Sequence, residues 1–113
     1  MSKAILSLCG ATFLIAAAPA SAAVFKCTFK DQPVMMLDMA YPDSTLTIGE
    51  KVYPLTHDIR PAWDATVEDM VFEFEIKSYG PGEKTMPTKL EIHAGSLNGP
   101  VVFTEKTACQ RAK

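Results

Sequence analysis

The stretch MVFEFEIK, Met70 to Lys77, decides the fold. Apolar Met70, Phe72, Phe74 and Ile76 alternate with Glu73, Glu75 and Lys77. A period of two puts alternate side chains on opposite faces of a strand, so this segment reads as a β-strand with one face buried and one wet. The same period recurs on either side. In VFKCTFK, Phe25, Cys27 and Phe29 share a face opposite Lys26, Thr28 and Lys30. In VMMLDM, Met35, Leu37 and Met39 share one. Leu46 and Ile48 precede Gly49-Glu50, and Val52, Tyr53 and Leu55 follow it; glycine first in a two-residue turn suits a type II′ hairpin. KLEIH buries Leu90 and Ile92, and Asn98-Gly99 marks a turn before PVVFTEK, where Val101 and Phe103 alternate.

Eight prolines argue against long helices. The one place expected to form a helical turn lies between His57 and Asp69, with Pro61 at its first position and Trp63 as a lid over one end of the core. About seven to eight short strands with one apolar face each must close or stack. The expectation is an all-β fold, a small antiparallel β-barrel or sandwich.

Residues 1–22 have the three parts of an export signal: Lys3, an apolar run from Ile5 to Ala18, and the cleavage pattern Ala20-Ser21-Ala22. The run is shorter than a membrane span and ends at Pro19. A lipoprotein reading at Cys9 fails because Leu8 precedes it and the apolar run continues past it. No later stretch is long and apolar enough to cross a membrane. Removing 22 of the 113 residues leaves 91, a single domain over residues 23–113, in an exported, periplasmic location. That domain keeps two cysteines near its ends, Cys27 and Cys109. In an oxidising compartment they are expected to bond to each other, joining the ends of the sheet; two free thiols or a metal pair are the rivals, and no CxxC or nearby His favours them. A loop this long closed by a disulfide contributes roughly 4 kcal/mol in the chain-entropy model.

Loss of Lys3 leaves ten bases against 13 acids, a net of −3. That argues against nucleic acid and anionic membranes as partners. The acids cluster: Asp64, Glu68, Asp69, Glu73 and Glu75 fall in one run without a base. The run is either a solvated strand face or a patch, around Glu73 and Glu75, that attracts a basic protein.

Catalytic signatures are missing. There is no GxSxG, HExxH or phosphate-binding glycine loop, and pairing uses both cysteines. His57-Asp58 is a weak base and orienter, since neighbours on a strand point to opposite faces, and His93 with Ser96 has as little support. The reading is not an enzyme, with no cofactor. A copper-binding reading rests on His57, His93, Met35, Met36, Met39, Met70 and Met86, because thioethers suit Cu(I). Met35 and Met39 fall on the inward face, where methionine fills irregular cores, and His93 is expected on the outer face as ordinary surface. The longest break, SYGPGEKTMPT (78–88), carries Ser78, Tyr79, Glu83 and Lys84, the last two near the expected tip; rigid barrels display function on such loops. Arg60 and Trp63 form a second candidate surface.

Phe25-Lys26-Cys27 at the start, Ala108-Cys109-Gln110 at the end and the hairpin DSTLTIGEKVYPL between them resemble the small periplasmic lysozyme inhibitors of bacteria, the MliC and PliC type. The likeness of layout covers most of residues 24–109. The family's inhibitory SGxRY loop and later Trp-Lys-Gly segment have no counterpart; Ser78-Tyr79-Gly80 and Lys84 are loose echoes. The resemblance implies an exported β-barrel that binds a basic muramidase, a host lysozyme or the cell's own lytic transglycosylase, by inserting a loop into its cleft. The competing expectations are a periplasmic copper-binding protein and a structural envelope protein with no enzyme partner.

Overall fold

The structure, a computed structural model, describes residues 23–40, 43–57, 61–77, 80 and 82–112. The expected export signal therefore lies outside the described residues, as do Arg60, Ser78 and Tyr79. Nine antiparallel strands and no helix make up the described chain. They are β1 (Val24–Cys27), β2 (Met35–Asp38), β3 (Thr45–Ile48), β4 (Lys51–Pro54), β5 (Thr56–His57), β6 (Ala62–Val67), β7 (Met70–Ile76), β8 (Thr85–Ala94) and β9 (Val101–Arg111). Their order in the sheet is β4-β3-β2-β1-β9-β8-β7-β6-β5.

The two ends of this order are two halves of one segment. Only Leu55 separates β4 from β5. Residues 51–54 pair with β3, Leu55 N–H still donates to Ser44 O (2.9 Å), and from Thr56 onward the partner is β6, with Thr56 opposite Asp64 and His57 opposite Trp63. One bent segment thus touches both edges, and eight strands' worth of sheet form a nearly closed barrel. Closure removes the unpaired edges that an open sheet would expose. Farther along the seam, Ile48, Tyr53, Val67, Met70 and Phe72 line an open hollow of about 680 Å³.

Period two supplies the core. Phe25, Cys27, Phe29, Met35, Leu37, Met39, Leu46, Phe74, Ile76, Met86 and Leu90 are almost fully buried in one cluster. The Gly49-Glu50 turn has positive φ at Gly49 (63°) and not at Glu50, as a type II′ hairpin between β3 and β4 requires.

The expected helical turn over 57–69 is instead strand. Trp63, Ala65 and Val67 alternate with Asp64 and Thr66, and β6 pairs with β7 from Ala62–Glu75 to Val67–Met70. Pairing along the whole of β7 outweighs Pro61, which lies just before the strand and leaves its N–H-free ring outside the ladder. Trp63 is therefore not a lid on a helix. It is a buried strand residue, with the His57 ring stacked on it at 4.3 Å and 16° between planes. The long break is also shorter than expected, because Thr85 to Thr88 already belong to β8.

The register Gln110–Lys26 and Arg111–Phe25 brings Cys109 directly across from Cys27, where their Sγ atoms are bonded. Their Cα atoms are 4.4 Å apart, close to the spacing of a non-hydrogen-bonded antiparallel pair. β1 and β9 share little ladder, so this crosslink holds a short seam. A Cys27→Ala/Cys109→Ala chain is expected to lose about 4 kcal/mol against the oxidised protein in urea unfolding, and the native protein to show no alkylatable thiol. Equal urea midpoints for the two chains would contradict the assignment.

Candidate functional site

Two features stand out on the outside of the barrel, and topology separates them. The connections 39–44 and 77–84 and the ends of β5 and β9 lie at one rim. The Glu68-Asp69 and 95–100 turns lie at the other.

At the first rim the loop after β7 is braced. Glu83 N–H donates to Gly80 O (3.1 Å), closing a turn. The Arg111 guanidinium donates to the carbonyls of Glu83 and Gly80, and Arg111 N–H donates to Lys84 O (2.8 Å). The same guanidinium lies 4.7 Å over the Phe25 ring, so the brace is anchored on the core. A guanidinium has five donors in a fixed fork and can hold several carbonyls at once. Sequence reading did not find Arg111. Its signal was only a base two residues after the second cysteine. The expected position of Lys84 is corrected here: with β8 beginning at Thr85, Lys84 stands at the root of the loop and not at its tip. Glu83 and Lys84 are both exposed. Pro61 and Ile76 sit side by side, Ile76 N–H donating to Pro61 O (3.0 Å), so the start of β6 lies beside the end of β7.

The second feature is on the outer face of β6, β7 and β8. Asp64 lies opposite Glu73, and Glu73 opposite Glu91, so three carboxylates form a row across three strands. Like charges directly opposite one another destabilise a sheet, so the row is held against a local cost. Glu73, Glu75, Glu91, Lys89, Pro61 and Ala62 line a shallow hollow of about 270 Å³. Lys89 Nζ reaches Glu91 Oε2 at 3.2 Å.

His93 corrects the expectation most clearly. It occupies the outward side of β8 but is buried, 7% exposed. Its Nε2 lies 3.1 Å from Glu73 Oε1 and 3.5 Å from Glu91 Oε1, and its Nδ1 lies 3.3 Å from Gly99 O. The 95–100 turn folds over the ring, tied down by Gly95 N–H to Asp69 O (2.9 Å) and Ala94 N–H to Pro100 O (3.0 Å). Alternation alone gave the correct side of the strand; what it missed was a turn covering that side. Gly99 permits the cover, because a Cβ there would overlap the Ala94 carbonyl.

Of the thioethers in the competing copper reading, Met35, Met39 and Met86 are 0–3% exposed within the core cluster, Met70 packs against it partly buried, and Met36 is half-buried on β2. His57 stacks on Trp63 at the rim, away from His93, which lies near the other end of β8. A scan of family models and searches of curated proteins and of solved structures found nothing that matches this chain.

The turn over His93 yields a direct expectation. Gly99→Ala should push the Gly99 carbonyl off His93 Nδ1 and destabilise by roughly 1–3 kcal/mol, the cost of leaving a buried polar group without its partner. Thermal unfolding together with the His93 ring resonances would read both effects. A variant with unchanged stability and unchanged His93 shifts would contradict the account.

Proposed function

We propose that this protein is an exported binding protein that docks on a basic peptidoglycan-cleaving muramidase, a lysozyme or a lytic transglycosylase, and blocks its cleft. The observation that carries the reading is the braced rim. Arg111 fixes the carbonyls of Gly80 and Glu83, and groups already held before binding lose less entropy when they enter a cleft. Lys84, exposed beside that turn, and Tyr79 from the same connection are the groups proposed to enter. A muramidase works with two carboxylates, one as acid and one as nucleophile or base, and an ammonium or phenol hydroxyl between them would occupy both. The acids of β7, Glu73 and Glu75, supply attraction for a basic partner along the flank of the barrel rather than at the loop itself. The likeness in layout to the small lysozyme inhibitors supports the same partner class. The periplasm is the proposed location.

Binding kinetics test this reading. The oxidised chain should inhibit a basic muramidase or a lytic transglycosylase in a cell-wall clearing assay. Lys84→Ala should raise the dissociation rate at least tenfold, in keeping with roughly 2–5 kcal/mol for truncating one side of a buried charged contact, and leave the salt dependence alone. Glu75→Gln should slow association at low salt and cost under about 1 kcal/mol in affinity, as a rim charge does. Absence of inhibition and of binding to both enzyme types at micromolar concentration would overturn the proposal. Wild-type behaviour of Lys84→Ala and Tyr79→Ala would remove the loop from it and turn attention to Arg60 and Trp63.

A further inference from the structure

We propose that Glu73, Glu91 and His93 form a binding site for a divalent transition-metal ion of the zinc class on the outer face of β7 and β8. The inference goes beyond the muramidase reading and does not depend on it.

The argument starts from the imidazole. The side chain of His93 is nine-tenths buried, and its ring nitrogens have different neighbours. Nδ1 lies 3.3 Å from Gly99 O, and a carbonyl only accepts, so a hydrogen bond there requires the proton on Nδ1. Nε2 faces two carboxylate oxygens, at 3.1 and 3.5 Å. With Nδ1 protonated and the ring neutral, Nε2 presents a lone pair to two anions. A cation between the three atoms would turn that repulsion into attraction.

The donor set and its geometry fit a cation. One imidazole nitrogen and two carboxylates are ordinary zinc ligands, and imidazole distinguishes the site from the all-oxygen sites of calcium and magnesium. Ligand atoms about 2.0–2.2 Å from a tetrahedral zinc are about 3.3–3.6 Å from one another. The two His93–carboxylate separations fall within a few tenths of an ångström of that range, and all three ligand atoms lie within 4.8 Å of each other. The surroundings resemble the outer support that metal ligands normally have. The Gly99 carbonyl fixes the tautomer and ring angle of His93, and Lys89 holds Glu91 Oε2 so that Oε1 turns to the imidazole. Both carboxylates also line the open hollow beside β6, so three protein ligands leave a fourth position toward solvent, where water or a partner's side chain can bind.

The test is a titration of the oxidised, metal-stripped chain with zinc chloride alone, followed by calorimetry and by thermal unfolding. The expected result is one zinc per chain and a raised unfolding temperature. Affinity should fall roughly tenfold or more in Glu91→Gln and in His93→Gln. Glu91 is half-buried on the surface of the sheet, so Glu91→Gln keeps the test open if His93→Gln does not fold. Calcium and magnesium should bind far more weakly than zinc. No zinc binding by the native chain would overturn the proposal. Zinc binding that survives Glu91→Gln at full strength would overturn the assignment to these residues. A magnesium response equal to that of zinc would overturn the class of ion.

Discussion

The change of partner at Leu55 is the constraint on which the rest of the barrel depends. Up to Leu55 the chain bonds to β3; from Thr56 it bonds to β6. A sheet of short strands with one apolar face cannot stay open in water, because both its core face and its edges would be exposed. Here the chain uses one segment to satisfy both edges. Leu55 itself is buried at the corner, so its side chain packs inside while its backbone passes between two ladders. The disulfide acts on the opposite part of the ring. It secures β1 to β9 where their shared ladder is short. Closure by hydrogen bonds at one seam and by a covalent link at another lets so small a domain hold a single core.

That closed frame explains how like charges survive side by side. Asp64, Glu73 and Glu91 stand in register because the inward residues between them are Trp63, Ala65, Phe72, Phe74, Leu90 and Ile92, all buried. A slip of one residue in any of the three strands would separate the carboxylates, but it would also turn these apolar groups to solvent. Each buried leucine or phenylalanine contributes roughly 1.5–3 kcal/mol, whereas opposed surface charges cost under about 1 kcal/mol per pair. Core packing wins, and the acidic row follows from it. His93 and Lys89 then offset part of the repulsion at Glu73 and Glu91.

The fold was legible because alternation is a local property. Phe25, Cys27, Met35, Leu37, Leu46, Phe72, Phe74, Ile76, Leu90 and Ile92 were assigned inward from their own neighbours, and all are buried. The Cys27–Cys109 pair was legible from the number of cysteines in the domain and the expectation of an oxidising compartment. The segment 57–69 was misread because Pro61 resembles a helix start, and the pairing of β6 with β7 is a long-range fact. The sites were less legible for the same reason. Nothing near His93 in sequence announces Glu73, 20 residues earlier, and nothing near Arg111 announces the carbonyls of Gly80 and Glu83. Both arrangements arise only when the register of β8 with its neighbours is set.

The two features also differ in what they ask of the fold. The Gly80 and Glu83 carbonyls at the rim are held by Arg111, a residue of β9 just beyond the disulfide, so their placement is tied to the β1–β9 seam. The Glu73–Glu91–His93 cluster depends on the β7–β8 ladder and on the 95–100 turn at the other end of β8, neither of which contains a cysteine. The disulfide lies nearer the rim than the cluster: on β8 it is Met86 that stands opposite Cys109 and Thr88 Oγ1 that lies 3.4 Å from Cys109 Sγ, whereas Glu91 and His93 come later in the strand. A small barrel in this way places a rim held by Arg111 and a charged flank held by the β7–β8 ladder at different points along β8, although every strand shares one core.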